Sequence, residues 1–127
     1  MTLAYWCVLA AALMPYLFTG VAKFGSKPYD NRAPREFLAS LEGHQKRANW
    51  AQMNSFEAFP PFAAAVIIAH LVQASQTGIN GLALAFVLLR LGYGWAYITD
   101  RPNLRSLLWL GAVFCVIGLF LVAARAT

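Results

Sequence analysis

The sequence predicts an all-α integral membrane protein that crosses the bilayer four times. Hydrophobic residues fill 60% of its 127 positions and charged residues only 12%, where soluble domains have about 45–50% and about 25%. Four apolar stretches, residues 3–24, 56–73, 79–98 and 104–124, each approach the ~20 residues that a helix needs to cross the hydrocarbon core. Nothing alternates at period two, as the ~10-residue strands of a membrane barrel would. Four such helices consume most of the chain, so residues 1–127 are expected to form one domain with no separate soluble part.

The first span, about 3–24, lacks a basic leader, and "AYWC" places bulky aromatics before Cys7 where a lipoprotein signal needs small residues. It is therefore expected to stay as a membrane helix. Cys7 and Cys115 lie inside apolar spans at no metal or redox spacing, and are read as small buried hydrophobes. The connection 25–46 opens with "SKPYDNRAP", which is turn chemistry: Pro28 and Pro34 fix φ, and Asp30 and Asn31 tolerate tight turns. From Pro34 the pattern turns helical, with Phe37, Leu38 and Leu41 at helix spacing and Gly43 as a point of interruption. The second span, about 47–73, is expected to begin as an amphipathic helix and then dip into the bilayer. Pro60 and Pro61 cannot donate to the carbonyls of Phe56 and Glu57, so a bend is expected beside its polar face. The third and fourth spans are placed at about 79–98 and 104–124.

Charge sets the orientation. Lys23, Lys27, Arg32, Arg35, Lys46 and Arg47 all fall between spans one and two, and Arg101 and Arg105 between three and four. The second connection, "ASQTGING", has no charge. This positive-inside pattern puts the first and third connections in the cytoplasm and both termini outside. The net charge of +5 is then topology and lipid head-group contact, and a nucleic-acid partner is not expected.

Two polar faces stand out within these spans. At 100° per residue, Arg47, Trp50, Asn54, Glu57 and Pro61 share an arc of about 80°, while Gln52 points nearly the opposite way. Arg90, Tyr93 and Tyr97 occupy an arc of about 60° on the third span. Arg90 lies deep, about 12 Å along the helix from Ile98. A charge there costs at least ~2.5–3.5 kcal/mol, so it needs a protein or water-lined partner. Glu57 is the only acidic residue inside the four apolar stretches, and the two are expected to approach each other, directly or through a ligand. A helix-pinning ion pair without chemistry is the competing explanation.

In order, "RANWAQMNSFEAFPPF", "RLGYGWAY" and "RSLLW" resemble the MAPEG family, membrane-associated proteins in eicosanoid and glutathione metabolism. The lead-in "YDNRAPREFLASLEG" is similar to the family's bacterial branch. The resemblance implies a homotrimer of left-handed four-helix bundles, in a bacterial inner membrane, with glutathione held near the cytoplasmic side between subunits. It implies that Asn54 and Glu57 hold the tripeptide, Glu57 by its ammonium, together with Arg90, Tyr93 and Tyr97, and that Arg90 takes a carboxylate. Gln52 would serve the neighbouring subunit's site. Arg105 matches the arginine that holds the glutathione thiolate, lowering a thiol pKa of ~8.5 towards neutrality, since the thiolate is the nucleophile. Lys23 would supply charge at the cytoplasmic end of the first span.

The chain departs from that pattern at Trp50, where other members have arginine, and at Ala58, where tyrosine is common. Tryptophan cannot replace a bidentate carboxylate clamp, and Arg47, one turn earlier, is expected to stand in. His44 and His70 have no partner at ligand spacing. His44 is read as a solvated loop residue and His70 as lying near the outer interface, and no metal site is expected. The implied activity is a glutathione transferase or peroxidase acting on lipophilic electrophiles taken from membrane lipid. The alternatives are a non-enzymatic relative that binds a lipid or partner protein, and a structural trimer.

Overall fold

The computed structural model describes residues 1–127 and is all-helical. Five helices follow one another: α1 (Leu3–Lys23), α2 (Pro34–Ala39), α3 (Gly43–Leu71), α4 (Gln76–Ile98) and α5 (Pro102–Ala124). The sequence led us to expect four spans with a helical pattern from Pro34 leading into the second; the structure makes that lead-in a separate six-residue helix, α2, with Pro34 at its start. It forms because Pro34 fixes the first helical φ. It is separated from α3 at Ser40–Glu42, while Gly43 takes φ +61° at the start of α3. Gly43 thus opens a helix; the break expected at it lies just before.

Three helices, α1, α4 and α5, are long and apolar enough to cross a membrane. α3, expected as the second span, is the longest at 29 residues, but its first half carries Lys46, Arg47, Asn49, Gln52, Asn54 and Glu57 and it is not among those three. It runs as one helix through Pro60 and Pro61. His44 belongs to its first turn, exposed, and is not in a loop.

α3 and α4 form the middle of the molecule, each packed against α1 and α5, which flank them on opposite sides. Small residues make most of the buried contacts: Ala4, Ala11, Ala65, Ala69, Ala83, Ala112 and Ala123 are all at most 5% exposed. Large apolar side chains such as Leu13, Leu17, Leu107 and Phe114 point outward. This inverted pattern is what lipid selects, because hydrocarbon solvates large side chains and close backbone approach drives helix association. Gly94 shows the constraint. A Cβ there would overlap the ring of Phe18 on α1, which is buried.

The two ends of the molecule are closed by different devices. At the basic end, the side-chain amide of Gln45 donates to Ala22 O (2.9 Å) and accepts from Ser26 and the Lys27 backbone. It thereby pins the start of α3 to the end of α1. At the opposite end His70 stacks on Tyr5 (4.1 Å) and shares its ring nitrogens with Thr2 and Val66 O. Asn80 accepts from the Ala4 backbone there (3.1 Å). The sequence shows His70 with no partner at metal-ligand spacing; in the fold it joins α3 to α1 and, through Gln76 (3.4 Å), to α4.

Candidate functional site

The two polar faces do meet. Arg90 is 2% exposed, and its Nη2 donates to Asn54 Oδ1 (2.8 Å) and to Ser55 Oγ (3.4 Å). Asn54 Nδ2 in turn donates to Glu57 Oε2 (3.4 Å). Guanidinium and carboxylate are thus joined through an amide and not by direct contact. The reason is helical spacing: Asn54 and Glu57 lie three residues apart on one face of α3. The amide must present oxygen to the guanidinium, which has only donors, and nitrogen to the carboxylate, which has only acceptors. Ser55, buried at 4%, donates its own proton to Ala51 O (2.8 Å). The sequence reading missed it, since it lies about 100° from Asn54 around the helix.

Cations and rings alternate along α4 towards the basic end. The Arg90 guanidinium lies 4.1 Å from the centre of the Tyr93 ring, Tyr93 meets Tyr97 edge-on at 5.7 Å, and the Arg105 guanidinium lies 4.5 Å from the centre of the Tyr97 ring. Such contacts are worth about 0.5–1 kcal/mol where exposed and about 2 or more when desolvated. They hold both arginines without neutralising them. Arg105 reaches this row because Pro102 starts α5 immediately after the turn that ends α4. In that turn Asp100 adopts φ +59° and Arg101 N–H bonds back to Ala96 O (2.8 Å). No acidic residue relieves the positive first turn of α5.

Three depressions follow this row and share residues. The first, about 360 Å³, has Asn54, Glu57 and Arg90 at its polar end and continues between α3 and α5. The second, about 300 Å³, is lined by Trp50, Met53, Asn54, Glu57, Tyr93 and Tyr97. The third, about 80 Å³, lies at the basic end and includes Arg47, Trp50, Tyr97 and Arg105. Asn54 and Glu57 border the first two, and Trp50 and Tyr97 the second and third. Asn54, Glu57, Arg90, Tyr93, Tyr97 and Arg105 therefore lie along one continuous surface.

Three other expected residues behave differently. Arg47 donates from Nε to Ile98 O (3.0 Å), capping the end of α4. It lines only the small depression, one helical turn from where a stand-in for Trp50 would act. Gln52 faces away from the row, and its Oε1 is buried without a hydrogen-bond partner. Lys23 lies over the ring of Tyr29 (4.6 Å) in the first connection.

No curated protein and no solved structure matches the chain. The sequence profile of the MAPEG family does, over residues 3–125. That match covers every helix, including the α3 and α4 faces that meet at Asn54 and Arg90, and it agrees with three helices built to cross a bilayer. The chain is a membrane protein of the MAPEG family.

Proposed function

We propose that this protein is a membrane-embedded, glutathione-dependent transferase or peroxidase acting on lipophilic electrophiles. The observation that carries this reading is the row Glu57–Asn54–Arg90–Tyr93–Tyr97–Arg105, a zwitterionic surface with a free cation at its basic end. A peptide bearing one ammonium and two carboxylates fits that charge pattern: Glu57 is a carboxylate for the ammonium, and Arg90 has donors beyond those on Nη2 for a carboxylate. Gln52, with its unpartnered oxygen, would complete a site across a subunit boundary in a homotrimer.

Bound glutathione would supply a thiol whose sulfur forms the new S–C bond as the leaving group departs with its electron pair; in the peroxidase case, two glutathione molecules become the disulfide while a hydroperoxide becomes alcohol and water. Arg105 favours the thiolate by Coulomb attraction, and the unrelieved N-terminus of α5 adds to it. Tyr97, under the Arg105 guanidinium, fixes its direction. Asn54 orients Arg90 and Glu57 together, so that both ends of a peptide would be placed by one amide. The electrophile reaches the site from lipid, which fits a bacterial inner membrane with the basic end cytoplasmic.

Arg105→Ala is expected to lower kcat by about 10²-fold or more, the usual loss when a charge-stabilising group is removed, with a smaller change in the KM for glutathione. An equal loss confined to KM contradicts the assigned role. One observation favours a second reading: Arg47 donates from Nε to Ile98 O and lines only the small depression at the basic end, a turn away from where the clamp missing at Trp50 would act. A relative that binds lipid without turnover would retain lipid through purification and ignore glutathione.

A further inference from the structure

The smallest of the three depressions gathers more positive charge than the fold requires. Arg47 of α3 and Arg101 and Arg105 at the start of α5 all line it, three of the ten basic residues in the chain, against one carboxylate, Asp100. Each guanidinium is held by a carbonyl or a ring and not by an acid: Arg47 by Ile98 O, Arg101 by the ring of Trp95 at 4.8 Å, and Arg105 by that of Tyr97. Arg47 spends only Nε on its bond, so both of its Nη groups remain as donors. Helix chemistry disfavours the other two cations where they stand. Arg101 is the N-cap of α5 and Arg105 lies one turn on, so like charges stack at i and i+4. Both also sit at the positive pole of the α5 dipole, which no side chain caps. An anion in the depression would relieve all of these repulsions together.

Size and place narrow the choice of anion. At about 80 Å³, against about 300 and 360 Å³ for its neighbours, the depression suits a compact oxyanion and not a peptide. It lies where α4 ends and α5 begins, two helices long and apolar enough to cross a membrane, and so at the level of lipid head groups. Trp50 and Trp95 beside it and Leu104 and Leu107 just beyond it are exposed, the aromatic and apolar border of a bilayer interface. We propose that Arg47, Arg101 and Arg105 bind a phosphate group, and that its source is the head group of an anionic phospholipid. Planar guanidinium groups present their donors in pairs that match phosphate oxygens. Trp95 and Tyr97 hold two of them through ring faces, which leaves the N–H groups for the ligand. The site does not depend on the glutathione reading, although the two share Arg105.

The test measures binding of radiolabelled dioleoylphosphatidic acid to the full chain in dodecyl maltoside. It uses the wild type, Arg47→Gln, Arg101→Gln and, as a control with the same loss of charge at the same end, Arg35→Gln. Unlabelled dioleoylphosphatidic acid, dioleoylphosphatidylcholine and inorganic phosphate serve as competitors. The phosphatidylcholine, whose ammonium meets the same arginines, is expected to compete at least about tenfold less well than the acid. Arg47→Gln and Arg101→Gln should each weaken binding about fivefold, the worth of one basic residue at a lipid surface. Arg35→Gln, outside the depression, should change it by less than about twofold, because exposed charges at a distance are screened. Equal competition by the two lipids in the wild type overturns the proposal. An Arg35→Gln loss as large as the others also overturns it, because general charge would then explain the binding. If inorganic phosphate competes as well as the acid while the Arg47→Gln and Arg101→Gln losses persist, the phosphate site stands and lipid as its source is overturned. Arg101 is exposed, so its variant should keep the fold, judged by helical circular dichroism. Should a variant unfold, the wild-type comparison decides alone.

Discussion

Asn54 is the side chain on which the polar centre turns. It accepts from Arg90 and donates to Glu57, so Asn54→Leu leaves a buried guanidinium with Ser55 as its remaining hydrogen-bond partner. Losing a hydrogen bond to a charged group costs about 1.5–3 kcal/mol, and a lower melting temperature in detergent is the expected readout. An unchanged melting temperature would show that the amide carries no load. Replacing Arg90 and Glu57 together by leucine removes both charges and leaves no lone ion. That double variant should remain folded, judged by its helical circular dichroism, but lose glutathione conjugation. Retained conjugation would reduce the row to a helix pin. Which residues belonged on the polar faces was legible from the sequence, because 100° per residue is a property of the helix itself. The amide between Arg90 and Glu57 was not, since it depends on how far apart α3 and α4 settle.

The helices were legible to different degrees. α1, α4 and α5 are continuous apolar runs, and their bounds, Leu3–Lys23, Gln76–Ile98 and Pro102–Ala124, lie within three residues of the expected spans. α3 and the first connection were less so. The split between α2 and α3 depends on Leu41, 1% exposed, which clusters with its neighbours Phe37 and Ala48 and also with Ala22 of α1, a long-range contact that no local pattern reveals. Gln45 and His70 join helices far apart in sequence, and only the packing gives each a partner. The end of α3 also stores strain: Gln73 takes φ +55°, with Ala74 N–H bonded back to Ala69 O (3.0 Å). A left-handed residue other than glycine costs roughly 1–2 kcal/mol, partly offset by the chain entropy that glycine adds to the unfolded state. Gln73→Gly should therefore stabilise the protein by about 0.5–1 kcal/mol, seen as a higher melting temperature; a lower one would mean that the Gln73 side chain makes a contact worth more than its strain.

Taken whole, the molecule puts most of its charges at one end and its bulk outward. Small residues draw α3 and α4 together, large apolar ones meet lipid, and the one deep cation is held by an amide, a hydroxyl and a ring. A fold stabilised only by that arrangement has no need of Arg105, poised over Tyr97 in the first turn of α5. A ligand that binds the folded state alone raises stability by RT ln(1 + [L]/Kd), about 2.7 kcal/mol at a hundredfold excess over Kd. The melting temperature of the purified protein in detergent, with and without millimolar glutathione, reads this directly. We expect a rise of several degrees in the wild type that disappears in the Arg90→Leu, Glu57→Leu double variant. A wild-type melting temperature indifferent to glutathione would contradict a peptide-binding centre on α3 and α4.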